Sequence, residues 1–516
     1  MSNTYKIPIK DTTRELVWEH AIDSLTTSRE LSRVLNKYYI KKLWEYAFDD
    51  YLIKYNIVEN YDNLYLHDWL SFSDTIYQNK KPNELKVAFF CGPEPENDVE
   101  HLLRLGVRIE NIYAFESDKG TFKQAVDSLR DNYPTLKIYN GKIENFLLSN
   151  FIVFDIIYLD FTESIISAFK SLCTILDKNG LSNLSILAVN TCFPDKNEEN
   201  IDFLTNYFFY QSCFEYSVFF GKEKGETNEG RFIESANCYG YDYHKTRESI
   251  EKNFEEAYSA FQTSFILNYA NHIKPFISVL NNSITKKRLF NIERNEMDKL
   301  ISDFKKKEEI YIQPESYSLF HFFNSHNKDS WNTFFSEKGS EKFSRNDIAT
   351  LMYAFLDSQY ENYSSLLSDA LQSALPKINS NLLGKNRSVF CDIPMIHIWL
   401  EQAINQLGYP YHMNSANHKR YSYTSKTRKM CLDIFTFDQC RALYDWLPMI
   451  EYYGDDLSIS ERQMISRICI DAIGKHSLHI LERQYYGSAI VGINEHNWAK
   501  NHYIKDRIDL NDKLSF

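Results

Sequence analysis

Glycine and proline are scarce in this chain. Of 516 residues only 16 are Gly and 12 are Pro, whereas 15% are aromatic. Collagen-like, linker-like and disordered chains are rich in Gly or Pro and poor in aromatics, so these classes are excluded. A β-sandwich or propeller needs a turn residue every few positions, and the chain does not supply them. Cysteine pairing is also missing. The nine Cys form no Cys-x-x-Cys pair and their number is odd. That pattern fits buried thiols in a reducing compartment, not a disulfide framework or a zinc ribbon. The N-terminus has no apolar signal region, and no run approaches the ~20 apolar residues of a membrane span. A cytoplasmic protein without membrane contact is expected.

Charge is uneven. The net charge is -12. Residues 1–240 carry 25 basic and 36 acidic groups, and the remainder carries 33 and 34. An acidic front half does not suit broad binding to a phosphate backbone, so any nucleic-acid contact needs a local basic patch. Glycine is uneven too. None occurs in 1–91 or in 241–338, and nine fall between Gly92 and Gly240.

That distribution suggests four regions: helical 1–82, an α/β unit at 83–240, helical 241–340, and a mainly helical 341–516. Residues 12–58 show apolar positions at helical spacing, with Thr12-x-x-Glu15 resembling a capping box. From residue 85 the character changes. Apolar runs at 86–91, 111–117, 136–140, 154–161 and 184–190 alternate with amphipathic stretches at 96–105, 119–130, 143–149 and 163–176. The spacing predicts a mostly parallel sheet with crossover helices, and the nearly continuous apolar runs predict strands buried on both faces. The fold class is therefore α/β and Rossmann-like, flanked by large helical N- and C-terminal regions. Between 200 and 240, FEYSVFFG and RFIESANCYGY suggest two more strands around an exposed loop.

The predicted strand ends carry an ordered set of polar residues. Cys91-Gly92-Pro93-Glu94 follows the first strand, Glu116-Ser117-Asp118 the second, Asn140-Gly141-Lys142 the third, and Asp160-Phe161-Thr162-Glu163 the fourth. In an open α/β sheet, ligands bind beyond the carboxyl ends of the strands. A Gly turn after the first strand lets a ligand approach the backbone, and an acid ending the second strand can accept bonds from ribose hydroxyls.

Over residues 85–192 the order of elements resembles the class I S-adenosylmethionine-dependent methyltransferases. The resemblance implies S-adenosylmethionine as cofactor, with Gly92, Glu94, Glu116, Asp118, Asn140, Lys142 and Asp160 around it. The first loop would hold the methionine part and Glu116 the ribose. Lys142 or Asn140 would lie beside the adenine, and Asp160 to Glu163 would line the methyl-transfer site. Asp160 and Glu163 are the candidate catalytic acids. The chain departs from the family where several glycines usually stand, keeping only Gly92 with Glu94 and Glu96 nearby. Asp160-Phe161-Thr162-Glu163 is not the Asn/Asp-Pro-Pro-aromatic signature of adenine or cytosine amino-methyltransferases, and the chain has no Pro-Cys dipeptide.

Other motifs are set aside. Gly225-x-x-x-x-Gly230-Arg231 lacks the Lys-Ser/Thr of a P-loop, and His321 and His326 have no accompanying carboxylate, so no metal site is expected. A basic and aromatic stretch, Asn414 to Met430, contains Lys419, Arg420, Tyr421, Tyr423, Lys426, Arg428 and Lys429 and no acid. Cations beside aromatics can hold phosphates and stack bases, or the stretch is a β-hairpin with a basic face. Two readings follow. One is a methyltransferase acting on RNA or protein held by the C-terminal region. The other is a non-catalytic Rossmann-like interaction protein, which would suit a microbial defence or accessory system.

Overall fold

The computed structural model describes residues 7–45, 53, 64–210, 243–291, 293–306, 367–373, 403–446 and 507–514. The suggested strands within 211–240, the Gly225 motif, and His321 and His326 lie outside them.

The chain builds one mixed, mostly parallel α/β sheet. Its strands are β1 (Val87–Phe90), β2 (Ile112–Glu116), β3 (Lys137–Asn140), β4 (Phe154–Asp160), β5 (Leu181–Cys192), β6 (His412–Met413), β7 (Lys419–Ser425), β8 (Arg428–Asp438) and β9 (Ile508–Asp509). The order is β3-β2-β1-β4-β5-β8-β7-β9, with β6 also paired to β8. Strands β1 to β5 pair in parallel, and β8 runs antiparallel to β5 from Leu184↔Asp438 to Cys192↔Met430. Strand order reverses between β1 and β4, which makes that crevice the switch point.

The expected strands and crossover helices are present, with ends moved by a few residues, but β3 lies at the sheet edge and is only partly buried, not buried on both faces. The crossovers are α5 (Glu96–Arg104), α6 (Lys119–Leu129), α7 (Ile143–Ser149) and α8 (Ile165–Asp177). Alternate strand residues serve opposite cores, as a period of two requires. Val87, Phe89, Ile156 and Tyr158 face one core, while Ala88, Ile157 and Leu159 face the other.

The sheet does not respect the boundary drawn at residue 240. The hairpin β7–β8 extends it, so the helical character expected for 341–516 does not reach 412–438. Tyr421 and Tyr423 alternate inward along β7 and are buried, a strand pattern inside a polar-looking segment. The hairpin turns at Lys426, whose φ of 57° is left-handed.

The N-terminal region is helical as expected, in shorter pieces. α1 (Pro8–Leu25), α2 (Arg29–Ser32), α3 (Lys37–Glu45) and α4 (Leu64–Ile76) are the described helices. Thr12 does not cap α1. The helix starts at Pro8, whose fixed φ suits the first turn, and the Thr12 hydroxyl donates to Pro8 O at 3.1 Å. Beyond α9 (Glu198–Tyr210), helices α10 (Tyr243–Lys252) and α11 (Phe254–Asn268) cover the second core.

Candidate functional site

Four strand ends converge on one cavity of ≈ 370 Å³ at the switch point, a size typical of small-molecule sites. Its wall includes Gly92 and Glu94 after β1, Glu116 on β2, Gly141 and Lys142 after β3, and Asp160 and Glu163 at the end of β4. Gly92 has φ +60° and Gly141 φ +148°, and a Cβ at either would meet nothing within 4 Å. Both positions favour glycine for backbone reasons and leave bare backbone.

The acids behave differently. Glu94 accepts from Asn97 Nδ2 at 3.2 Å, and Glu96 is turned aside to Ser128 Oγ on α6 at 2.9 Å. Glu116 accepts from the Asp118 backbone N–H at 2.8 Å, and its carbonyl accepts from Gly141 N–H at 2.8 Å, tying β2 to the turn after β3. Asp118 is outside the cavity wall. Its exposed carboxylate caps α6 by accepting from Thr121 N–H at 2.8 Å, and that bond lowers its pKa. Asn140 pairs with Glu116 in register but is also outside the wall.

Asp160 is held from two sides. Its Oδ1 accepts from Asn190 Nδ2 at 2.7 Å, and its Oδ2 lies 3.6 Å from Lys10 Nζ. Asn190 is fully buried on β5, and its amide also donates to Tyr423 OH at 2.7 Å. The turn after β4 is fixed through its backbone. Cys192 N–H donates to Glu163 O at 2.9 Å, and Arg428 Nη1 donates to Thr162 O at 3.1 Å.

Sequence reasoning missed the cavity's second wall. Helix α1 contributes Lys10 and Arg14, and Arg14 Nε lies 3.3 Å from Asp98 Oδ2. Asp98 is buried on α5 and accepts from Trp18 Nε1 at 2.9 Å. Burial raises its pKa against the opposing pull of Arg14. Burial also raises Cys91, reinforced by Glu116 and Asp98, so that wall thiol stays protonated. Lys10 and Arg14 stand four apart, but Lys10 precedes the helical stretch predicted over 12–58, so no predicted helix face carries both. Glu144, likewise missed, lines the cavity and accepts from Ser171 Oγ at 2.7 Å.

The basic and aromatic stretch divides in two. Arg420, Tyr421 and Tyr423 are buried. Arg420 Nη2 donates to Ser259 O at 2.9 Å, and its Nε lies 3.4 Å from Asp433. These three side chains serve the interior and offer no face for stacking bases. Lys426 and Arg428 are exposed at the hairpin tip, Lys419 is half-buried, and Lys429 Nζ pairs with Glu255 at 2.6 Å. Among the described residues, no group of three or more His, Cys, Asp or Glu is placed to hold a metal ion. No described helix is long and apolar enough to cross a membrane.

No protein-family profile and no curated protein matches the chain. Among solved structures, that of protein arginine methyltransferase 10 from Arabidopsis thaliana is similar over 38% of this chain, at 18% identity and a TM-score of 0.18. The match spans 55% of that protein's chain. Similarity this slight carries nothing about the chemistry of the cavity.

Proposed function

We propose that the cavity binds S-adenosylmethionine and that the chain is a methyltransferase for an RNA or protein acceptor. The main support is the convergence of Gly92, Glu116, Gly141 and Asp160 on one cavity at the switch point. The residues fit such a ligand. Gly92 and Gly141 leave open space where side chains would otherwise stand, so an elongated polar ligand can lie against backbone.

The Cys91–Glu94 turn would hold the amino-acid tail, with Glu94 facing its ammonium group. Glu116 would accept from the ribose hydroxyls, and Lys142 would lie beside the adenine. When bound, the cofactor supplies a methyl group on a cationic sulfur. Asp160 would take the proton of an acceptor N–H or O–H, and Asn190 fixes the carboxylate for that role. Glu163, also in the wall, would help to orient the acceptor. Arg428 donates to Thr162 O, so the exposed cations of the hairpin tip adjoin the cavity wall. A macromolecular acceptor would meet Lys426 and Arg428 there.

Isothermal titration of the full chain with S-adenosylmethionine tests the reading. One site per chain is expected, with Glu116→Ala weakening it about tenfold or more, the cost of a lost hydrogen bond to a charged group. No heat and no thermal shift at millimolar ligand would overturn it and leave the interaction-protein reading.

A further inference from the structure

We propose that the acceptor class of this cavity is a primary alkyl amine, formed from its ammonium by proton loss, and that the chain methylates its own Lys10. The inference rests on the methyltransferase reading. The acid assigned as proton acceptor already has an amine beside it. Lys10 Nζ lies 3.6 Å from Asp160 Oδ2, and both residues line the cavity that contains Gly92, Glu116 and Gly141. The pair is neither sealed nor fully solvated, with side chains 21% and 23% exposed.

The two partners are held by separate parts of the fold. Asp160 is oriented by buried Asn190 at 2.7 Å. Lys10 projects from α1, which is anchored by fully buried Trp18, its bond to Asp98 and the Arg14–Asp98 ion pair. An amine presented by a fixed helix has already lost most of the freedom an external acceptor would have to give up. The flexible four-carbon stem still lets the nitrogen move without the helix.

The step balances. Lys10 ammonium gives one proton to Asp160, and the freed nitrogen lone pair forms the bond to the methyl carbon of S-adenosylmethionine. The carbon–sulfur bond breaks and its electron pair stays on sulfur. The products are charged monomethyl-Lys10, neutral S-adenosylhomocysteine and protonated Asp160, which releases its proton to water. Because methylation keeps the charge, the ion pair with Asp160 can form again.

The test uses the full chain. After incubation with S-adenosylmethionine, peptide mapping by mass spectrometry should find one methyl group on Lys10. The fraction modified should rise at a rate independent of protein concentration. Asp160→Asn should abolish the label. A second readout is calorimetric affinity for S-adenosylhomocysteine, which cannot react. Lys10→Met should leave it within about threefold, since Lys10 stands at the acceptor position. A tenfold loss would instead make Lys10 a ligand of the cofactor's carboxylate and overturn the proposal. Wild-type protein that binds S-adenosylhomocysteine but carries no methyl at Lys10, or carries it on another residue, overturns the proposal while leaving cofactor binding intact. Wild-type protein that binds neither ligand removes both readings together.

Discussion

Asp160 and Asp433 are both strand aspartates that meet cations from remote parts of the chain, and they are used in opposite ways. Asp433, on β8, is fully buried and saturated. Its Oδ1 accepts from Thr263 at 3.0 Å and contacts His418 Nε2 at 3.2 Å, and its Oδ2 accepts from Gln262 at 2.8 Å and Arg507 at 2.6 Å. Arg507 and then His418 and Arg420 hold its pKa far below the usual carboxylate range, against the opposing effect of burial. Asp160 has one oxygen fixed by Asn190, the other facing Lys10, and a cavity in front of it. A buried charge that meets every partner inside the protein is a fastener. A half-satisfied charge at the edge of a cavity is poised for a ligand.

The largest expected effect lies on the fastener. Asp433→Ala leaves Arg420 and Arg507 buried without their shared anion, and should cost about 3–5 kcal/mol in chemical denaturation. A loss under about 1 kcal/mol would break the contrast.

Lys274 is a second buried titratable group, with different partners. It is fully buried, its Nζ donates to Gly408 O at 2.6 Å and to Tyr409 O, and burial lowers its pKa to about 7. In the unfolded chain it titrates near 10.5. Between those values the unfolded state binds the extra proton, so stability should rise with pH from about 7 to 10.5, by on the order of a few kcal/mol. Lys274→Met should remove that rise in urea melts at a series of pH values.

His20 works in the acid range. Burial, then Lys419, lowers its pKa to about 4, and its Nε2–H donates to Asn417 O at 2.9 Å. The folded state resists protonation between 4 and 6.5, so its contribution is lost as pH falls through that window. His20→Gln should flatten the acid loss by on the order of 1–3 kcal/mol. The smallest effect belongs to the site. Asp160→Asn should change stability by less than about 1 kcal/mol, because the Asn190 bond can be kept, and the same melts would show it.

The sheet was legible because four of its five parallel strands are nearly continuous apolar runs separated by amphipathic helices, whereas the edge strand β3 is only half-buried. The wall residues at their ends followed from that order, as Gly92, Glu116 and Asp160 illustrate. Lys10 was not legible as a wall residue, since no local pattern announces that a helix near residue 10 crosses strand ends near residue 160. The hairpin misled for a related reason. Lys419 to Ser425 looks solvent-facing, but Arg420 is compensated by Asp433, and Tyr423 reaches Asn190 from 233 positions away. Asp118 stands in the right place by sequence, and its carboxylate was taken by the nearest helix cap.

The most direct measurement is a crystal structure of the full chain grown with saturating S-adenosylhomocysteine. Cofactor binding in the cavity predicts adenosine density between Gly92, Glu116 and Gly141, with the sulfur turned toward Asp160 and Lys10. A cavity without ligand density at that concentration, or ligand bound elsewhere on the chain, would contradict it.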